Sequence, residues 1–515
     1  MATRYQNIDL ASLLVGMLQS PVVLADTMII GLSLDSRTVA EGFAFIALVK
    51  DNELRHQHIE QALSAGCHAV LFDESLALSD QEHSLIESGQ VQAIAVKNLA
   101  DKTGEIAARF YGHPSLALTI IAVTGTNGKT SVSQFIAQCL EQLGHACGVI
   151  GTLGTGRVGS LLDTGMTTPD PISLQKMLAE FCLQSVRFVV LEASSHALEQ
   201  GRLNSVTIDV AVLTNLSRDH LDYHADLASY AAAKKRLFDF QSIKSAIINS
   251  DDSFGQSLID ELAARKEVQT LTYSRNKSSL LYAQNIKANL SGLTFSLNTK
   301  SKIVDIRSKL LGQFNVDNLM ATAACLIVLG IEIDDVVKSL SQCEAVDGRM
   351  QSYSAKDKAL FVIDYAHTPD ALMQALVSLQ DHVPSGGNLW CIFGCGGDRD
   401  TGKRPLMGEA AEVNADKVIL TADNPRSENN ESIVTDIIKG IRQPNVIHVE
   451  HDRQQAIDYA VNHTSCKDIV LVAGKGHELY QEVAGVKTPF SDKQAVLKAL
   501  KAANDEHVVS TGARQ

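Results

Sequence analysis

At 515 residues the chain is too long for one hydrophobic core, and length alone predicts about three domains. Its 59 Asp and Glu outweigh 45 Lys and Arg, for a formal net charge of −14. Such a chain is a poor non-specific binder of nucleic acid or anionic membrane, so any anionic ligand must meet a local basic island. Hydrophobic (45%) and charged (20%) contents are those of a soluble globular protein, and nine singly scattered cysteines fit a reducing cytoplasm.

Leu10 to Ala25 is moderately apolar, but Arg4 alone makes a weak basic region and Gln19 and Pro21 break the run. It reads as a short amphipathic helix rather than a signal peptide, and no stretch is long and apolar enough to span a membrane. Strand-like runs follow at Ala44–Leu48, Ala69–Phe72 and Val91–Val96, with a boundary at Tyr111-Gly-His-Pro114.

Leu116–Val123 reads as a buried strand and runs into Val123-Thr-Gly-Thr-Asn-Gly-Lys-Thr-Ser131. Val132, Phe135, Ile136, Cys139, Leu140 and Leu143 then share one helical face, and Gly144 is placed to end that helix. Strand, glycine turn, Gly-Lys-Thr and helix make a phosphate-binding loop. Its backbone N–H groups and helix N-terminus face the anion, Lys129 adds a point charge, and Thr130 or Ser131 can reach Mg²⁺. The common spacing wants a glycine where Val123 stands, so this loop is shorter.

Phe188–Glu192, Val210–Thr214 and Ser245–Asn249 continue an α/β alternation that predicts a mostly parallel sheet. After a boundary at Asp347-Gly-Arg349 the pattern restarts with Ala359–Asp364, Asn388–Phe393, Lys417–Thr421, Val446–Val449 and Asp468–Val472. Glu192 closes a strand near the phosphate loop, where a hard carboxylate suits Mg²⁺. A Ser-His hydrolase at Ser194-Ser195-His196 fails because the glycines of a nucleophile elbow are absent. Cys391 and Cys395 have no second pair at zinc-site spacing and read as core residues.

Together the loop, Glu192, the segment 215–224 and Lys234 in Tyr230-Ala-Ala-Ala-Lys-Lys resemble the Mur ligase family of peptidoglycan synthesis. Gly312-Gln-Phe-Asn-Val-Asp-Asn318, Asp347-Gly-Arg349 and Asp364-Tyr-Ala-His367 extend the resemblance, which spans roughly residues 110–490. It implies three α/β domains: a smaller N-terminal domain (1–113) for the UDP-muramoyl group, a central P-loop mononucleotide-binding domain (114–346) and a C-terminal Rossmann-like domain (347–515) for an amino acid. It also implies a reaction in which ATP phosphorylates a carboxylate and an amine displaces the phosphate. Positive charge is needed between the two anions, hence Mg²⁺.

By this resemblance Gly125, Thr126, Asn127, Gly128, Lys129, Thr130 and Ser131 bind the phosphates of ATP. Asn315 and Asn318 lie toward the adenine, and Arg349 and Asp364 lie where the last domain closes over ATP. Thr130, Glu192, His220 and Lys234 serve the metal. Lys234 also matches the family's carbamylated lysine (N6-carboxylysine, formed with CO₂); the neighbouring Lys235 is the alternative, and the Tyr-x-x-Ala-Lys spacing favours Lys234.

Gly394-Cys-Gly-Gly-Asp-Arg-Asp400, Asp423-Asn-Pro-Arg426 and Gly474-Lys-Gly-His-Glu478 resemble the family members that add the third peptide residue, of the meso-diaminopimelate rather than the lysine type. The implied amino-acid site is Arg399, Asp423, Asn424, Pro425, Arg426, Gly474 and Glu478. Diaminopimelate differs from lysine by a distal carboxylate, which Arg426 can grip bidentately, while Glu478 can pair with the distal ammonium. Leu34 and Ser36 fall in a match to the uridine-diphosphate loop, whereas Lys50–Arg55 replaces the glycine and Asp-Gly-His turn common in relatives. Thr167, Thr168, Ser194, Gln200 and Arg202 resemble the segments that meet the muramoyl-peptide. The implied enzyme is a cytoplasmic monomer acting on ATP, UDP-N-acetylmuramoyl-dipeptide and meso-diaminopimelate. The alternatives are a lysine-adding ligase, folylpolyglutamate synthetase, and a nucleotide-gated binding protein without the chemistry.

Overall fold

The computed structural model describes residues 7–18, 26–76, 78–88, 91–219, 223–276, 279–300, 302–444 and 447–512. The chain divides into two compact units, Met1–Thr272 with Ala324–Leu329, and Tyr273–Ala323 with Gly330–Gln515.

The first unit holds two separate α/β sheets. One is parallel, with Gly31–Ser33, Phe43–Ala47, Ala69–Asp73 and Gln92–Val96 side by side in that order. Alternate residues of its strands feed different cores: Ala44, Ile46, Leu71 and Ile94 enter one, Phe45, Ala47 and Val70 the other. A sheet covered on both faces needs strands that are apolar at every position, which is why these runs stand out in the sequence.

In the second sheet, Cys147–Gly151, Phe188–Glu192, Thr119–Thr124, Val210–Leu213 and Ser245–Asn249 lie in that order, all parallel. The strand that leads into the phosphate loop is therefore central, with neighbours on both sides. One face packs Ile120, Ala122, Val189, Leu191, Ala211, Leu213 and Ile248 into a single cluster, where each large apolar side chain contributes about 1.5–3 kcal/mol. The helix Lys129–Gln142 buries Val132, Phe135, Ile136, Cys139 and Leu140. It stops at Gly144 (φ +80°), where Gly144 N–H donates to Glu141 O and His145 N–H to Leu140 O, the paired bonds of a Schellman stop.

Two expectations near the N-terminus are corrected. The strand predicted from Leu116 begins at Thr119, because Pro114 opens a 3₁₀ turn over Pro114–Ala117 that leaves Leu116 71% exposed. The helix expected over Leu10–Ala25 is one turn, Leu10–Leu13, capped by Asp9; residues 19–25 lie outside the described part.

In the second unit, an antiparallel ladder of Leu281–Asn289, Gly292–Asn298 and Ile303–Ser308 precedes the helix Phe314–Val328, whose last five residues fall in the first unit. The main sheet follows in the order Gln351–Tyr353, Leu360–Asp364, Ile469–Ala473, Leu389–Phe393, Lys417–Leu420, His448–Val449. All but its first strand are parallel. Cys391 and Cys395 are buried in its core, and all nine cysteines are free thiols. No described helix is long and apolar enough to cross a membrane.

A buried ion pair ties the last helix to this sheet. Arg453 Nε and Nη2 donate to Asp492 at 2.7 and 2.8 Å, and the same guanidinium reaches the carbonyls of Ala422 and Ala473. Both side chains are fully buried. Asp492→Ala would strand the arginine charge, so it should destabilise this unit by about 3–5 kcal/mol. The only tryptophan, Trp390, lies in this sheet, so its fluorescence in a urea titration should show an earlier midpoint than the wild type.

Candidate active site

Gly125 (φ +146°) and Gly128 (φ +86°) turn the chain between the central strand and its helix, with conformations that favour glycine. A Cβ on Gly125 would also overlap Thr214 Oγ1. The neighbouring strand-end loop braces the turn. Thr126 N–H donates to Asn215 O at 2.8 Å, Asn127 N–H to Asn215 Oδ1 at 3.0 Å, and Thr214 Oγ1 to Asn127 O at 2.6 Å. Lys129 Nζ folds back to donate to the carbonyls of Gly125 and Thr126, both at 2.9 Å. Ser131 follows Thr130 on the first turn of the helix.

Glu192 ends the adjacent strand and is 1% exposed. Thr130 Oγ1 donates to its Oε2 at 2.9 Å, Thr152 N–H to its Oε1 at 2.9 Å, and Thr152 Oγ1 to Oε2 at 3.1 Å. Gly151 leaves room for this carboxylate, because a Cβ there would overlap Glu192 Oε1. The same strand end reaches the predicted peptide-binding residues. Thr168 Oγ1 donates to Glu192 O at 2.6 Å and lies 3.2 Å from Ser194 Oγ, while Thr152 Oγ1 meets Thr167 Oγ1 at 3.1 Å. Arg202 donates to Thr168 O at 2.7 Å and to Gln200 Oε1. Thr167, Thr168, Ser194, Gln200 and Arg202 thus form one network with Glu192.

Lys234 is 1% exposed beneath the phosphate loop, and its Nζ donates to Gly125 O at 2.7 Å. That nitrogen stands 4.4 Å over the ring of Tyr230, whose hydroxyl is 3.2 Å from Thr126 Oγ1. Burial, reinforced by the nearby Lys129 charge, lowers the Lys234 pKa to about 6. A neutral amine is the form that adds CO₂. Lys235, by contrast, pairs with Glu261 at 2.7 Å on the surface. The two adjacent lysines thus differ sharply, Lys234 buried and Lys235 on the surface.

A hydroxyl (Thr130) and a carboxylate (Glu192) beside a phosphate loop are the hard oxygen donors that suit Mg²⁺. Among the described residues no three His, Cys, Asp or Glu gather into a metal cluster. His220 lies outside the described residues.

Ser36 is buried and donates to Gln61 Oε1 at 2.8 Å; Leu34 precedes it, and Asp35 caps the 3₁₀ turn Ser36–Thr38. The divergent segment 50–55 has a structural use. Asp51 caps the helix Asn52–Ser64, and Arg55 is buried in a two-pronged pair with Glu82, at 2.9 and 3.1 Å.

In the second unit, the loops after three adjacent strands converge. Arg426 (φ +52°) donates from its backbone to Glu482 O at 3.0 Å and from Nη1 to Gly397 O at 2.7 Å, and its Nε lies 3.6 Å from Glu482 Oε2. A Cβ on Gly396 would overlap this guanidinium. Asn424 donates to Glu478 Oε2 at 2.8 Å. Asp423 faces Gly474, where a Cβ would clash with its carboxylate, and burial pushes the Asp423 pKa up. Pro425 is buried, and Arg399 is exposed at the rim of the first loop. Asp364 accepts from the backbones of Met350 and Ala366, both at 2.9 Å, and Arg349 stands 5.3 Å over the Tyr365 ring. Asn318 Nδ2 donates to Asn315 Oδ1 at 2.8 Å, and Asn315 Nδ2 to Leu311 O at 2.7 Å.

Sequence reasoning missed four groups that support these residues: Thr152, His224, Lys475 and Glu482. His224 is buried, with Nε2 3.0 Å from Ser195 Oγ and its ring 5.2 Å from that of Tyr230. Lys475 sat inside a quoted motif, between two glycines, and that placement was the available signal.

A glycine loop between a central parallel strand and a helix, with a carboxylate closing the next strand, defines a P-loop α/β nucleotide-binding protein. Two family models match the chain: the Mur ligase middle domain over residues 123–326, and the Mur ligase, glutamate ligase domain over 348–476. A UDP-N-acetylmuramoyl-L-alanyl-D-glutamate–2,6-diaminopimelate ligase of Chromobacterium violaceum is 44% identical over 468 residues, 91% of this chain and 93% of that protein. The ligase of the same name from Pseudomonas aeruginosa is 44% identical over 478 residues, 93% and 96% of the two chains. A solved structure of a ligase of that name, 39% identical, superposes with a TM-score of 0.76 over 97% of this chain and 100% of its own. The chain belongs to the Mur ligase family.

The fit of Glu192 depends on the missing side chain at position 151. Gly151→Ala should push the carboxylate off Thr130 and lower stability by about 1–3 kcal/mol. A crystal structure of the variant should show the Thr130–Glu192 hydrogen bond broken, together with a lowered Tm.

Proposed function

We propose that this chain is the ATP-dependent ligase that joins meso-2,6-diaminopimelate to the γ-carboxyl of D-glutamate in UDP-N-acetylmuramoyl-L-alanyl-D-glutamate, releasing ADP and phosphate, in the cytoplasm. One juxtaposition carries the choice of amino acid: Arg426 and Glu478, opposite charges, are linked through Gly397 and Asn424, on loops after the two strands that flank Leu389–Phe393. Similarity to diaminopimelate ligases over more than nine-tenths of the chain supports the same reading.

In this reading residues 1–113 hold the UDP-muramoyl group through Leu34 and Ser36, 114–346 hold ATP, and 347–515 hold the amino acid. The N–H groups of Gly125 to Ser131 and the helix N-terminus bind the phosphates. Lys129 exchanges its two loop carbonyls for the γ-phosphate. Asn315 and Asn318 are read as adenine contacts, and Arg349 and Asp364 as further ATP contacts. Thr130 and Glu192, with His220 and carbamylated Lys234, would hold Mg²⁺, which supplies neutralising charge between phosphate and carboxylate. Thr167, Thr168, Ser194, Gln200 and Arg202 orient the peptide so that its carboxylate lies beside Glu192. Arg426, with Arg399 at the rim, takes the distal carboxylate of diaminopimelate, and Glu478 takes the distal ammonium. Asp423, Asn424, Pro425 and Gly474 shape that pocket, leaving the other amino group to attack. With lysine bound, the Arg426 charge would lack its ligand partner. The enzyme acts as a monomer.

Purified protein with ATP, Mg²⁺ and the UDP-muramoyl-dipeptide should release phosphate when diaminopimelate is added and not when lysine is. Release with lysine alone would overturn the choice of amino acid, and none with either would favour a non-catalytic binding protein. Arg426→Ala should raise the KM for diaminopimelate about ten- to a hundredfold, the scale of a lost charge-assisted contact, with far less change for ATP. Lys234→Ala should be nearly inactive and partly rescued by short carboxylic acids, and ¹³CO₂ should label the wild type but not this variant. Full activity of Lys234→Ala would remove that residue from the reaction.

A further inference from the structure

The Glu478 carboxylate and the Arg426 guanidinium each already have a counter-ion of the protein's own. Lys475, 0% exposed, donates from Nζ to Glu478 Oε2 at 3.0 Å and to Asn424 Oδ1 at 3.1 Å. Glu482 holds the other charge, with Oε2 3.6 Å from Arg426 Nε. Backbone bonds fix the position of Glu482. Glu482 N–H donates to Asn424 Oδ1 at 2.9 Å, Arg426 N–H to Glu482 O at 3.0 Å and Ala484 N–H to Arg426 O at 2.6 Å. The hairpin Tyr480–Val483 and Val486–Pro489 is thereby clipped onto the loop that carries Asp423 to Arg426.

We propose that Lys475 and Glu482 set amino-acid selectivity by neutralising in advance the two charges that meet the distal end of the substrate, so that only an end carrying both signs is fully compensated. This rests on reading Glu478 and Arg426 as the diaminopimelate contacts. A distal zwitterion completes an alternating row: Lys475 ammonium, Glu478 carboxylate, substrate ammonium, substrate carboxylate, Arg426 guanidinium, Glu482 carboxylate. A distal ammonium alone, as on lysine, competes with Lys475 for Glu478 and puts a second cation near Arg426. Like charges at such range repel and unlike charges attract, and a partly buried site screens neither fully. Lys475 and Glu482 act through their partners and are positioning residues.

The two counter-ions have opposite signs, so removing each should move selectivity in opposite directions. Lys475→Met frees Glu478 for a single ammonium, and kcat/KM for lysine relative to diaminopimelate should rise about tenfold. Glu482→Gln leaves Arg426 unbalanced. It should lower the KM for diaminopimelate and, added to Lys475→Met, should bring the ratio back toward the wild-type value. A purely structural role would reduce both substrates together. Unchanged ratios, or greater lysine use in Glu482→Gln, would overturn the proposal. If Lys475→Met does not fold, as judged by circular dichroism, the half-buried Glu482 carries the test alone: an unchanged or raised diaminopimelate KM in Glu482→Gln overturns it. A wild type that ignores diaminopimelate would instead defeat the functional reading beneath it.

Discussion

A buried carboxylate at the end of a parallel strand organises the first unit. Glu192 accepts from the phosphate-loop helix through Thr130 and from the next strand end through Thr152, and its own carbonyl accepts from Thr168. Unpaired buried charge is expensive, so a carboxylate in this position persists only if donors are arranged around it or a cation neutralises it. The arrangement explains why Gly151 carries no side chain. It also explains why the threonines at 130, 152, 167 and 168 meet at one place although they are far apart in the chain. Nucleotide phosphate and peptide carboxylate, the two anions of the proposed reaction, would therefore be bound on either side of a third.

The second unit meets a related electrostatic problem with paired charges. Its loops leave the carboxyl ends of neighbouring parallel strands, the usual place for a ligand in such sheets. Here they bring Arg426, Glu478, Lys475 and Glu482 together, tied through Asn424. Beneath them the Arg453–Asp492 pair binds the carbonyls of Ala422 and Ala473, just before the Asp423 and Gly474 loops. The starts of these two loops are thus anchored by a buried ion pair that touches no proposed substrate.

Strands covered on both faces were readable from sequence mostly to within a residue or so, the start of Thr119–Thr124 being three residues later than expected. Ala69–Phe72 became Ala69–Asp73, and Asp468–Val472 became Ile469–Ala473, because continuous apolar runs have few other uses. The antiparallel ladder from Leu281 to Ser308 was missed. Its two flanking strands bury alternate residues at most, with Leu281 and Ala283 in and Lys287 out, and a register shift between Gln284 and Lys287 breaks even that rhythm. The site divides the same way. Residues inside strand-end motifs were named from sequence, and the structure brings many of them together. Thr152 and Glu482 act through partners 40 and 56 positions away, and pairing at such distances leaves no local signature.

Lys234 lies under the loop, its amine bound to the Gly125 carbonyl and shielded by the Tyr230 ring. A dissolved reagent meets that nitrogen only by displacing the loop carbonyl or the ring, so its reactivity is set by this packing as much as by its own basicity.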